Sequence, residues 1–263
     1  MMTSQTETNG SGGPATPTGL RIYAIGDLHG SLSLLTRLLE AIARDLSAHP
    51  PERCRIVFLG DYVDRGPEVY RLIDLLAQWP PPILRGLDVP AIFLKGNHEA
   101  LMLDFLMDPA AGNQSGARAG TLWLMNGGDA TVEAYARATG GGFSPTDALQ
   151  PLSLAFAKSL PSHHAEFLAC LETYHLAGDY LFVHAGVRPG TPLAEQAEKD
   201  MIWIREPFLS FDGPLDHHVV HGHTIVEEVA FRSNRTGIDT GAWQTGTLTA
   251  LVLDGQERRL LQT

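Results

Sequence analysis

Cysteine is scarce: the 263 residues include two, Cys54 and Cys170, far apart in the chain. Neither a disulfide framework nor a thiolate zinc site is expected, and the pair reads as reduced, packed thiols of a cytoplasmic protein. Long hydrophobic runs are missing too. No stretch approaches the roughly 18–20 apolar residues of a membrane helix, so no membrane span is expected. The first basic residue is Arg21, and the segment before it is rich in Ser, Thr, Gly and Pro, which predicts no secretory leader. Positive charge is the third shortage: 19 Lys and Arg stand against 30 Asp and Glu, a net charge of −11. A nucleic-acid binder would present a basic face, so that class is set aside. An anionic substrate stays open, because bound metal ions can supply local positive charge in place of Lys and Arg.

What is present is the composition of a packed protein, with 44% hydrophobic residues. Residues 1–18 read as a flexible tail, and 19–263 as a single domain. LRIYAIG, ending at Gly26, is a short apolar strand. Leu32, Leu35, Leu39, Ile42 and Leu46 then recur at helical spacing. A strand at 55–60, a helix from Pro67 to Trp79 and a strand at 91–96 continue the alternation, which reads as successive βαβ units. From His98 to about Leu171 the pattern turns mostly helical and is read as an insertion on the core. Strands return at 180–186, 217–222, 226–231 and 247–255, close enough together to be partly antiparallel. The fold class is α/β or α+β, centred on a sheet.

The chemistry lies just after the strands. Gly-Asp-Leu-His-Gly (26–30), Gly-Asp-Tyr-Val-Asp-Arg-Gly (60–66) and Gly-Asn-His-Glu (96–99) follow the first three, and His-Ala-Gly (184–186) and His-Gly-His-Thr (221–224) close later ones. In open α/β sheets ligands bind beyond the carboxyl ends of the strands. Any one of these segments fits an ordinary capped turn. Five in order, each rich in oxygen or imidazole donors, read as a metal site. The donors Asp27, His29, Asp61, Asn97, His184 and His223 include no thiolate, which suits manganese, iron, zinc, cobalt or nickel. Six are too many for one catalytic ion and suit two, with Asp61 as the shared carboxylate. Asp27 and His29 would complete one ion, and Asn97, His184 and His223 the other. Two divalent ions outweigh these carboxylates, and the surplus positive charge would attract a phosphate ester.

GDLHG, GDYVDRG and GNHE resemble the signature segments of the phosphoprotein phosphatases within the calcineurin-like metallophosphoesterases. WLMNGG (123–128), MIWIRE (201–206), HGHT (221–224) and IDTGAWQTGTLT (238–249) extend the likeness toward bacterial and phage-type serine/threonine phosphatases, over residues 20 to 254. The resemblance implies a central β-sandwich flanked by helices and the same six metal ligands. It makes His98 the group that protonates the leaving oxygen, with Asp64 as its orienting partner. It also makes Arg65 and Arg205, together with Asn97 and His98, the phosphate-binding set. The implied reaction is one-step hydrolysis by a hydroxide held between two metal ions, with manganese the leading metal.

The remaining candidates read as structural. The pairs His163–His164 and His217–His218 are expected to be solvated, and His175 to be a strand-end residue. His221 would stand behind the ligands, Glu99 would accept hydrogen bonds, and Trp123 and Trp203 would be core or site-wall rings. The expected function is a serine/threonine protein phosphatase acting on phosphoprotein or phosphopeptide. A bis(5'-nucleosyl)-tetraphosphatase of the same superfamily is the alternative, a small phosphate ester remains open as substrate, and a non-catalytic phospho-binding module is remote.

Overall fold

The computed structural model describes residues 6–8, 12–107 and 114–263, apart from the side chains of 6–8 and 114–117. Its strands are β1 (Thr6–Thr8), β2 (Leu20–Ile25), β3 (Arg53–Phe58), β4 (Ala91–Phe93), β5 (Tyr174–Ala177), β6 (Tyr180–Val183), β7 (His218–His221), β8 (Ala230–Phe231), β9 (Arg235–Gly237), β10 (Thr249–Asp254) and β11 (Glu257–Gln262). The helices are α1 (Leu32–Ala48), α2 (Val69–Ala77), α3 (Asn97–Met107), α4 (Gln114–Trp123), α5 (Asp129–Thr139), α6 (Leu149–Ser159), α7 (Ser162–Ala169), α8 (Glu198–Trp203) and α9 (Ala242–Thr245). One sheet runs β1-β11-β10-β2-β3-β4 and the other β5-β6-β7-β9-β8. Strands β2, β3 and β4 are parallel, as are β6, β7 and β9; the first block runs to the edge strand β4 with antiparallel β10 on its other side, and the second is flanked on both sides by antiparallel strands.

Alternation along the strands builds the layers. Leu20, Ile22 and Ala24 of β2 face Tyr180 and Phe182 of β6 and Val220 of β7, forming a dry interior between the sheets. Tyr23 and Ile25 point the other way, onto Leu35, Leu39 and Ile42 of α1. Leu181 and Val183 of β6 cover Met201 of α8 together with Ile204 and Phe208. The result is a β-sandwich with helices outside, as expected. Helices α3 to α7 occupy the span read as a helical insertion, in which residues 108–113 lie outside the described residues. No helix among the described residues is long and apolar enough to cross a membrane.

Several expectations need correction. Of the strand read at 226–231, only Ala230–Phe231 is extended. Strands β1, β5, β9 and β11 carry no clear alternating signal and were not anticipated; β11 places Arg258 under the ring of Tyr180, where charge masks the pattern. Of the tail expected at 1–18, residues 1–5 and 9–11 lie outside the described residues. Its described part is docked, not free. Thr6–Thr8 pairs with β11, the Pro14 carbonyl accepts from the Tyr180 hydroxyl at 3.0 Å, and the Thr16 N–H donates to Gly255 at 3.0 Å. Hydrogen bonds from backbone and side chains hold this segment where apolar surface is too sparse to do so.

Candidate metal centre

The parallel strands β2, β3 and β4 all deliver their carboxyl ends to one edge of the sandwich, and β6 and β7 bring His184 and His223 to the same edge. The turns there are strained. His29, Asp61, Asp64, Arg65 and His223 have φ between 41° and 72°, and they are the complete set of non-glycine residues with positive φ among the described residues. Left-handed backbone costs such residues about 1–3 kcal/mol each and persists only where the surroundings impose it. Glu99 does much of the imposing. Its buried carboxylate accepts the N–H groups of Asp61, Tyr62, Val63 and Gly96 at 2.8–3.1 Å. The N–H groups of Leu28 and His29 both reach the Asp61 carbonyl, which ties the first turn to the second.

These turns gather the expected donors. Asp61 presents one carboxylate oxygen 3.4 Å from His29 Nε2 and the other 3.5 Å from His184 Nε2. Asn97 Oδ1 lies 2.9 Å from His184 Nε2, and Asp27 accepts the His223 N–H at 3.1 Å. His29, Asp61 and His98 form one buried group whose donor atoms lie within 4.8 Å of one another; Asp61, His184 and His223 form a second. The imidazoles are aimed. Nδ1 of His29 bonds the Val63 carbonyl and Nδ1 of His184 bonds the Leu59 carbonyl, each at 2.8 Å, so each must carry its proton there and turn a bare Nε2 into the site. His223 Nε2 is buried without a partner.

Burial sets the protonation. It drives His29 well below the usual imidazole range, His184 down to about 4 and His223 to about 2, leaving all three neutral at pH 7. It pushes Asp27 far up, reinforced by the charges of Asp239 and Asp61, and raises Asp61 as well. Buried carboxylates crowd against bare imidazole nitrogens, and one of those nitrogens is orphaned. Divalent cations fit this donor set: they would satisfy His223 Nε2 and neutralise the clustered acids.

His98 stands over the centre. Its Nδ1 lies 2.6 Å from Asp64 Oδ2, and its Nε2 3.0 Å from the Arg65 guanidinium. Asp64 is wholly buried and also accepts from Thr131 at 2.6 Å and from the Trp123 indole at 3.0 Å. Burial pushes the Asp64 carboxyl up to about 8 against those two donors. Arg65 extends over the ring of Trp243, 5.3 Å from its centroid, and its N–H is held by the Gly127 carbonyl where the chain widens into a loose helical turn at Leu124–Gly128. Arg205 is exposed at the margin, with its guanidinium 3.4 Å from the His223 carbonyl.

The calcineurin-like phosphoesterase family matches residues 20–239. The chain belongs to that family. Like other calcineurin-like phosphoesterases, it is built for a binuclear divalent metal centre. It is 29% identical over 234 residues to serine/threonine-protein phosphatase 1 of Salmonella typhimurium, covering 87% of this chain and 89% of that protein. It is 25% identical over 256 residues to an asymmetrical bis(5'-nucleosyl)-tetraphosphatase of Bacillus anthracis, covering 86% and 88%. Among solved structures, a diadenosine tetraphosphatase by provisional assignment shares the fold at a TM-score of 0.57 and 20% identity, covering 90% of this chain and 93% of that one.

In this phosphoesterase the structure also adds residues. Asp239 is buried next to Asp27, with its carboxylate on the Gly241 N–H at 2.9 Å. It follows β9 in the same strand-then-acid grammar, but β9 is three residues long and gives no signal on its own. Thr131 and Trp243 were likewise unassigned, whereas Trp123 is the core ring expected and also grips Asp64. Glu99 is the acceptor expected. His221 is buried edge-on against Phe208, and neither buried donor group includes it. His175 lies within β5, 3.1 Å from Arg55. Two tandem pairs depart from expectation. His164 is fully buried and bonded to Tyr135, and His218 is buried and bonded to Thr236, because each faces inward from its element while its neighbour faces out.

Proposed function

We propose that this phosphoesterase is a serine/threonine protein phosphatase of the cytoplasm, a single catalytic unit over residues 19–263 working with two manganese ions. The arrangement carrying that reading is Asp64–His98–Arg65, a proton donor and a phosphate fork side by side at the mouth of the donor set. Asp27, His29 and Asp61 would hold one ion, and Asp61, Asn97, His184 and His223 the other. When bound, such an ion pair supplies Lewis acidity toward the phosphate and an activated water.

The chain's own groups do the rest. Arg65 and Arg205 grip the phosphate oxygens, a task suited to a planar fork of donors, with Asn97 and His98 contributing contacts. In the resting arrangement the Arg65 guanidinium donates to His98 Nε2. A phosphate that draws Arg65 onto itself frees that nitrogen to take up a proton from solvent and pass it to the leaving oxygen. Asp64 holds Nδ1 and fixes the direction of the ring, the part an orienting carboxyl plays beside a catalytic imidazole, while burial lowers the pKa of His98 itself and so eases release of the proton.

Dinucleoside polyphosphate hydrolysis is the second reading, favoured by the relatives that carry that activity and by Trp243. Its indole, 41% exposed beside Arg65, offers a flat face on which a base could stack. The deciding experiment reconstitutes metal-free protein with manganese and compares a phosphothreonine peptide with diadenosine tetraphosphate. Peptide turnover well above nucleotide cleavage is the expected result. The reverse order would move the function to nucleotides, and turnover of neither with both ions bound would leave a phospho-binding module.

A further inference from the structure

A second cluster of donors lies on the helical side of the molecule, where α7 crosses α2. Asp74 of α2 points one oxygen, Oδ1, at two imidazoles: His163 Nε2 at 2.9 Å and His164 Nε2 at 3.4 Å. We propose that Asp74, His163 and His164 form an accessory zinc site that shares no residue with the centre at the strand ends.

The geometry is close to what zinc requires. Bonds of 2.0–2.2 Å in a tetrahedron place donor atoms about 3.3 Å apart, and the three donor atoms here already lie within 4.8 Å of one another. The donor set, two imidazoles and a carboxylate without thiolate, suits zinc. His164 is fully buried, and its Nδ1 sits 2.8 Å from the Tyr135 hydroxyl. That contact fixes the ring and leaves Nε2 as its one outward nitrogen, the kind of support from behind that orients metal-binding imidazoles. Tyr70 packs against the same ring at 4.9 Å between centroids. His163 and Asp74 are 42% and 43% exposed, so an ion has a path in and water can fill the fourth position.

Without the ion, each Nε2 carries a hydrogen and donates to Asp74. On binding, that nitrogen becomes a lone-pair donor and the ring proton moves to Nδ1, which in His164 faces the Tyr135 oxygen. The phenol can accept as readily as it donates, so the buried ring keeps a partner in both states. The ion would clip α7 onto α2, the helix that follows the Asp61–Gly66 turn.

The test counts zinc by mass spectrometry after equilibration in a chelator-buffered zinc solution, for the unaltered protein, His163→Ala and Asp74→Asn. The unaltered protein should retain one zinc more per chain than either variant. Zinc should also raise its Tm by about 5 °C more than theirs, the gain expected when ligand well above its Kd binds the folded form only. Manganese-dependent turnover should be the same in all three. Both replaced side chains are substantially exposed, and His163→Gln, which keeps size and polarity, checks that any loss is of a ligand and not of fold. Equal zinc content in all the proteins would overturn the proposal.

Discussion

His98 sits between two groups that address opposite sides of its ring. Asp64, supplied with donors by Thr131 and Trp123, takes Nδ1, while Arg65 occupies Nε2. In the proposed acid role, this imidazole matters in proportion to how badly the leaving oxygen needs a proton. His98→Asn removes the transferable proton but keeps a polar side chain of similar reach. Turnover of a phosphothreonine peptide should fall by about 10²–10⁴, the usual worth of a positioned acid. Turnover of p-nitrophenyl phosphate, whose phenolate leaves unaided, should fall far less. Steady-state rates on the two substrates check this, and equal losses on both would remove His98 from the acid role.

The strand-end turns work as units, and glycine is what lets them close. A Cβ on Gly96 would collide with the carboxylate oxygen and the N–H of Asp61; one on Gly222 would meet the carboxylate of Asp27. Asp61 faces donors on both sides of the centre, whereas in the proposed assignment Asp27 serves one ion. On that assignment Gly96→Ala should weaken both divalent ions, by about 10–100-fold in affinity, and Gly222→Ala only one. Metal content measured against free manganese would separate them, and two tightly held ions in Gly96→Ala would rule the idea out. These turns are also where the sequence is most readable, since glycine, acid and imidazole recur after apolar runs that themselves mark strands. Asp239 escaped because β9 is too short to announce an exit. His164 escaped for a different reason: adjacent histidines look alike in sequence, and only tertiary packing decides which one Tyr70 and Tyr135 enclose. Strand β11 hid behind its arginines, whose burial depends on partners far away in the chain.

Across the whole molecule, the end of the sheet opposite the metal centre is closed by charge. Strand β2 starts there, α1 returns there, and Asp45 in the last turn of α1 receives the Tyr23 hydroxyl at 2.5 Å, Arg259 of β11 at 2.5 Å and Arg21 at 3.3 Å. Burial alone would push this carboxyl up, but Arg259, Tyr23 and Arg21 outweigh it and hold it below the usual carboxylate range. A folded pKa below the unfolded value means that the stabilisation is complete above the unfolded pKa, near 4, and is lost as pH falls through the folded one. Asp45→Asn keeps the shape and removes the charge on which three donors converge, so it should lower Tm at pH 7 by about 3–8 °C. Thermal unfolding of both proteins from pH 7 down to pH 2 should show a constant gap to about pH 5 and a narrowing gap below pH 4. Because the network lies at the far end of β2 from Asp27, turnover at pH 7 should be unchanged well below Tm. A gap that widens toward acid would mean that Asp45 is not the group holding this end together.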